Sequence, residues 1–392
     1  MVVQGADDGG SATDASVAPP LDSGLGPPPP TPGDPASNGG TITFQSIGAS
    51  GWFPSRRDPA TGPCNAYQTS TCCLARNEVT SDALTPWDED LILTLRGPMK
   101  VSQLAVYQPI AGNGGPWSLV SSWDARTASA PRGMAFDGDK TQTTGFQGTL
   151  GTECLVNVST NRDFACGPGS SPYCPLSPGK QAHLGWAGSK LFVMLATMPH
   201  ASTVGSPCSK DMTGNWYDAP WLGLSVGELV RAGSFVSCQC YAKDSAKGYL
   251  ADGCGQFNVF EVVNDNNFYK NLDVFSTDMI DYAGYVGEGP CGPKCDVSTL
   301  APGVDLIDKA NDTEAAAGAV SSPMRGPGAA FRRPVVGYRY FVVLLDVATR
   351  TVQLALVHPD RIPAAIASLL PGLPASIDTA SIDAVRALRL PN

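Results

Sequence analysis

A chain of 392 residues with a net charge of −10 can hold one large core or two, and it lacks the clustered Lys and Arg that a nucleic-acid backbone requires. Its 43 Gly and 34 Pro, set against only 26 Lys plus Arg, favour turns and short strands over long helices. No apolar run reaches the roughly 18 residues of a membrane-spanning helix, so no such segment is expected.

The chain opens on a tract of Asp, Gly, Ser, Ala and Pro over residues 5–40, including four consecutive prolines, Pro27 to Pro30. Such a segment buries too little apolar surface to offset its ordering entropy, so residues 1–40 read as a disordered spacer. Residues 1–22 lack the basic start and apolar run of a signal peptide. The spacer is of the kind that joins a lipid-anchored or secreted N-terminus to a folded domain, and the export signal itself is expected to have been lost from this chain.

Strand signals then follow one another. Thr41–Ile47 alternates and is rich in β-branched residues, and Leu91–Leu95, Val101–Tyr107, Leu191–Thr197, Phe257–Val263 and Tyr338–Asp346 read similarly between turn residues. Phe341–Leu345 and Thr351–Leu356 flank a short turn and predict a hairpin. Residues 296–334 form a Gly/Ala/Pro-rich insertion with one short helix expected near Asp308–Ala317. Pro363–Leu390 reads as two short helices packed on the outside. No repeat of fixed period occurs. The predicted fold is all-β, a β-sandwich or jelly roll of the concanavalin-like kind with disulfide-rich loops, over residues 41–358 (a leading segment 41–115 and a cleft-bearing segment 116–358), followed by a helical tail over 359–392.

Twelve cysteines, from Cys64 to Cys295, lie in Gly- and Pro-rich surroundings. An even count in such a setting predicts an oxidised, exported protein, secreted or anchored at the cell surface, with up to six disulfides whose pairing the sequence does not fix. Cys238, Cys240 and Cys254, or Cys291 and Cys295, are the alternative as zinc ligands. With three His in the chain and no C-x-x-C pair, no metal and no cofactor are expected. The polar run Asn264 to Asn267 reads as a turn or a weak calcium site, the turn more readily, since the EF-hand pattern is missing. Asn157-Val158-Ser159 and Asn311-Asp312-Thr313 are glycosylation sequons that matter in a eukaryotic secretory host.

The most informative stretch is GCGQFNVFE, residues 253–261. Alternate side chains of a strand share a face, so Gln256 and Asn258 point the same way. Glu261 joins them only if one residue between Asn258 and Glu261 is extruded as a bulge, a common device for re-aiming a side chain beside an active site. A solvated polar face would carry the same residue types.

That layout resembles the bulged E-x-D-x-x-E strand of the family 16 glycoside hydrolases, the laminarinases and β-glucan transglycosylases. The flanks resemble a narrower group, the fungal "target of SBF" cell-wall proteins associated with β-1,3-glucan. Three blocks carry this likeness: TPWDEDLILTLRGPMKVSQLAVYQP at 85–109, the stretch from Gly188-Ser189-Lys190-Leu191-Phe192 to Met198-Pro199, and Cys238-Gln239-Cys240 followed by Gly253-Cys254-Gly255.

The resemblance implies a cleft in which Gln256 stands where the nucleophilic Glu would be, Asn258 where its supporting Asp would be, and Glu261 as general acid/base. It further implies a monomer that takes β-glucan. With Gln256 neutral, no normal glycosyl ester forms, so activity of the glucan endo-1,3-β-glucosidase type is expected to be weak or absent. A noncatalytic glucan-binding surface protein is the alternative. Trp216, Tyr217 and Trp221 sit where such sheets carry stacking aromatics; Trp216 suits a sugar platform or the core equally, and Trp221 suits the core better. His183 is a substrate-contact candidate that reads more readily as a structural or exposed histidine. Arg96 reads as an ion-pair partner more readily than as a binding residue.

Overall fold

The computed structural model describes residues 39–44, 47–48, 51–57, 74–79, 84–110, 115–127, 129–140, 146–164, 183–201, 218–227, 255–264, 271–281, 284–288 and 333–390, together with Cys208 and Val230. Within them the protein is an all-β sandwich of two antiparallel sheets, as the strand pattern predicts. One sheet has the order β1 (Gly39–Phe44), β16 (Thr351–Val357), β15 (Arg339–Asp346), β10 (Lys190–Thr197), β5 (Met99–Pro109), β6 (Trp117–Asp124) and β17 (Ser376–Ile377), and β8 (Thr149–Leu150) also pairs with β5. The other sheet has the order β14 (Gly284–Glu288), β13 (Asn271–Asp281), β12 (Gln256–Asn264), β11 (Trp221–Val226), β4 (Leu91–Arg96), β9 (Leu155–Thr160) and β7 (Met134–Lys140). β2 (Gly51–Arg57) and β3 (Leu74–Val79) form a separate ribbon.

Alternation explains the sandwich. Leu91, Leu93 and Leu95 of β4, Leu222 and Leu224 of β11, and Phe257, Val259 and Phe260 of β12 face Leu104, Phe192, Met194, Phe341 and Val343 of the opposite sheet. Phe260 meets Phe341 edge-on at 5.1 Å between ring centroids, one of several aromatic pairs that lock the layers. The predicted hairpin is present as β15 and β16, in register from Tyr340↔Val357 to Asp346↔Thr351.

A second apolar layer covers the outer face of the first sheet. Two 3-10 turns (Pro359–Arg361 and Ala364–Ile366), β17 and the helix α1 (Thr379–Arg386) bring Ile366, Leu369, Leu370, Ile382 and Val385 onto Tyr107, Leu191, Val193, Val342 and Ala355. Asp378 caps α1, its Oδ1 accepting from the Ser381 amide at 2.7 Å. Sequence reading expects two short helices over Pro363–Leu390; there is one, α1, preceded by a single 3-10 turn and by β17, with Pro371 and Pro374 standing between turn and strand where a helix would have to continue. The first strand starts at Gly39, two residues inside the expected spacer. The expected spacer before it and the helix expected near Asp308–Ala317 lie outside the described residues.

With the first sheet sandwiched on both faces, the outer face of the second sheet is the one turned away from any described apolar layer. The Cys154–Cys208 disulfide staples the start of β9 to a residue 54 positions later in the chain. The other cysteines lie outside the described residues.

Candidate functional site

The bulge exists. Asn258 pairs with Asp278 and Glu261 with Ser276 on β13, so three steps on β12 match two on its neighbour. On the other side Leu222 pairs with Phe260 and Gly223 with Asn258. Phe257, Val259 and Phe260 are therefore all buried in the core, while Gln256, Asn258 and Glu261 are half-buried on the opposite face. One extra residue puts all three polar side chains on a single face, as the 253–261 stretch requires.

Within this strip the Gln256 amide donates to Asn258 Oδ1 at 3.1 Å. Glu261 is engaged from two strands away: Arg96 Nη2 lies 3.0 Å from Glu261 Oε1. Arg96 Nε donates to the Ala219 carbonyl at 2.9 Å, and the guanidinium rests over the Trp221 ring, 5.5 Å from its centroid. Trp221 stands in register between them, opposite Arg96 on β4 and Glu261 on β12. Burial pushes the guanidinium pKa down, while the Glu261 and Glu153 carboxylates pull it up; the net shift is downward. Arginine keeps its charge through such shifts.

Trp221 is only 3% exposed. Its ring lies flat on the sheet above Gly223, where an added Cβ would overlap the indole. It is a support beneath Arg96 rather than an open face for a ring to stack on. His183 lies at the far side of the sheet, its Nδ1 2.8 Å from Asp137 Oδ2 on β7 and its Nε2 3.6 Å from Asp163 Oδ1. Three strands, β11, β4 and β9, separate β7 from the β12 strip. Trp216 and Tyr217 lie outside the described residues.

A polar row crosses the whole sheet at the level of Asn258. Backbone register aligns Asp137, Asn157, Thr94, Gly223, Asn258, Asp278 and Glu288, one from each strand. Thr94 Oγ1 donates to Asn157 Oδ1 at 2.8 Å, and both residues are buried. Sequence reasoning missed this row because it depends on β4 pairing with β11 on one side and β9 on the other, strands distant from it in sequence. Gly223 was within reach, since Trp221 and Gly223 share a face at a spacing of two. The sequence marks Arg96 as an ion-pair partner; that the partner is Glu261 is a tertiary fact. Among the described residues no cluster of three or more His, Cys, Asp or Glu could hold a metal ion.

Fold and site together define an all-β, disulfide-bonded sandwich with a polar strip on a bulged strand of its second sheet. The chain belongs to the cell wall protein YJL171C/Tos1 family: the family's N-terminal model matches residues 40–109 and its C-terminal model residues 129–288. The first match spans β1 to β5, and the second runs from just before β7 to the end of β14, taking in β12. No curated protein and no solved structure matches the chain. No described helix is long and apolar enough to cross a membrane.

Proposed function

We propose that this cell-wall family member descends from a glycoside hydrolase and holds β-1,3-glucan on the outer face of its second sheet without cleaving it. The observation that carries this reading is the composition of the bulged strip. The strip offers two amides and one carboxylate where a retaining glycosidase needs two carboxyl groups about 5–5.5 Å apart. Gln256 lacks the negative charge to attack an anomeric carbon or to stabilise an oxocarbenium ion. Amides and a carboxylate still suit the hydroxyls of a neutral sugar, accepting and donating hydrogen bonds at once. A chain of net charge −10 carries no penalty toward a neutral polymer. Secretion to, or anchoring at, the cell surface is part of the same proposal.

A second reading is hydrolysis with Glu261 as acid/base and another carboxylate in place of position 256. It draws on the register, which sets Asp278 opposite Asn258 and Glu288 opposite Asp278.

Co-sedimentation with insoluble β-1,3-glucan and release of reducing ends decide between them. Binding without turnover by the wild type, lost or weakened in Asn258→Ala, is the expected result. Turnover by the wild type that disappears in Glu261→Ala favours the second reading. Failure of every variant to bind glucan overturns both.

A further inference from the structure

We propose that Arg96 is a positioning residue that withholds Oε1 of Glu261 from acid–base chemistry, so that the strip holds a glycan without cleaving it; this rests on the polysaccharide-binding reading above. The two amides are then one lock on the site, and Arg96 is a second.

Arg96 is pinned at three points. Nε is spent on the Ala219 carbonyl at 2.9 Å, Nη2 on Glu261 Oε1 at 3.0 Å, and the flat guanidinium lies on Trp221. Trp221 can lie flat because position 223 is glycine. The pair is enclosed, the side chains being 13% and 19% exposed, so it is unlike a surface ion pair that exchanges freely with water.

Arginine has donors only, and it does not deprotonate in proteins. The oxygen it holds is therefore always an acceptor, facing a cation. A general acid must present an O–H within hydrogen-bond reach of the leaving oxygen. For Glu261 to do so at Oε1, its bond to Nη2 must break, which takes the carboxylate partner away from an enclosed cation that stays fixed to Ala219 and Trp221. Restoring carboxylates at 256 and 258 does not touch this contact.

The test compares Gln256→Glu/Asn258→Asp with the same variant carrying Arg96→Gln. In a retaining reaction the carboxylate introduced at position 256 attacks the anomeric carbon while Glu261 gives its proton to the leaving oxygen, and water then hydrolyses the ester. Release of reducing ends from β-1,3-glucan is expected to be at least roughly tenfold faster in the triple variant, the scale of one charge-assisted hydrogen bond. A triple variant no faster than the double, with both bound to glucan, overturns the proposal.

A readout free of substrate accompanies it: carbodiimide labelling of Glu261, mapped by peptide mass spectrometry. Labelling should be several-fold faster in Arg96→Gln than in the wild type, with Arg96→Lys in between because it keeps a cation and loses the planar fork. Equal labelling in the wild type and Arg96→Gln overturns the proposal whatever the glucan result. Faster labelling with no glucan held by any variant supports the Arg96 contact and overturns the polysaccharide reading, so the two failures are distinguishable.

Discussion

The indole of Trp221 lies over the backbone of Gly223, two residues along the same strand, and an added Cβ at 223 would overlap the ring. Gly223→Ala therefore has to lift the indole off the sheet and disturb Arg96 above it. The expected cost is about 1–3 kcal/mol, the range for overpacking a filled site. Urea denaturation of wild type and variant measures it, and an unchanged midpoint would contradict the flat-ring geometry.

Lys190 is fully buried, its Nζ donating to the carbonyls of Trp87 at 2.8 Å and Glu89 at 3.0 Å. Burial lowers its pKa to about 7, against an opposing pull from Asp88, Asp90 and Glu89. The folded protein then holds this proton more weakly than the unfolded chain does, so unfolding takes up a proton between about pH 7 and the normal lysine range. Stability from this group rises with pH across that window. Lys190→Met should flatten the rise, as read from denaturation midpoints at a series of pH values. It should also lower stability at pH 9 by about 1–3 kcal/mol, because two buried carbonyls lose their donor.

Asp218 and Arg333 form an ion pair of 2.6 Å whose side chains are 1% and 0% exposed. Three further guanidinium donors go to the carbonyls of Met198, Pro199 and Asp218. Burial raises the Asp218 pKa, but hydrogen bonds and charge from His200 and Arg333 outweigh it, and the net shift is downward. A depressed carboxylate stabilises the fold above the unfolded pKa of about 4 and loses that contribution as pH falls through the folded value. Arg333→Met takes the buried cation from Asp218, leaving it His200 and the Ala201 amide, and should cost about 3–5 kcal/mol. Arg333→Met with Asp218→Asn should recover part of the loss, measured by thermal and urea unfolding of the three variants.

Asn157 heads a glycosylation sequon, yet it is buried at 9% exposure and its side-chain oxygen accepts from Thr94. A glycan at this position is incompatible with the docked strand. Folded protein secreted from a eukaryotic host should carry no glycan at Asn157, checked by peptide mapping before and after enzymatic deglycosylation.

The parts of this fold written in local pattern were legible. Leu91–Leu95 and Leu191–Thr197 carry β-branched and apolar runs bounded by turn residues, and both are central strands. The bulge in β12 was legible too, because only an extra residue puts Glu261 with Gln256 and Asn258. Less was visible at β9, where LVNVST alternates core valines with polar residues that turn out to be buried. Its pairing with β4, and β4's with β11, joins segments far apart in sequence, and no local signal encodes such partners. For the same reason the Arg96–Glu261 contact, between residues 165 positions apart, could not be read. The sequence leaves Trp221 open as sugar platform or core, because which way an indole tilts depends on the glycine beside it and the cation above it.

One junction has a mechanical meaning. The Leu390 amide donates to Thr41 Oγ1 at 3.1 Å, and the Leu388 carbonyl accepts from Gln353 on the strand that pairs with β1. The first and last described segments of this chain thus meet at one edge of the first sheet. A pull between them enters and leaves at neighbouring points. It loads β1, β16 and the terminal segment, while the bulged strand, in the opposite sheet, stays outside the line of force.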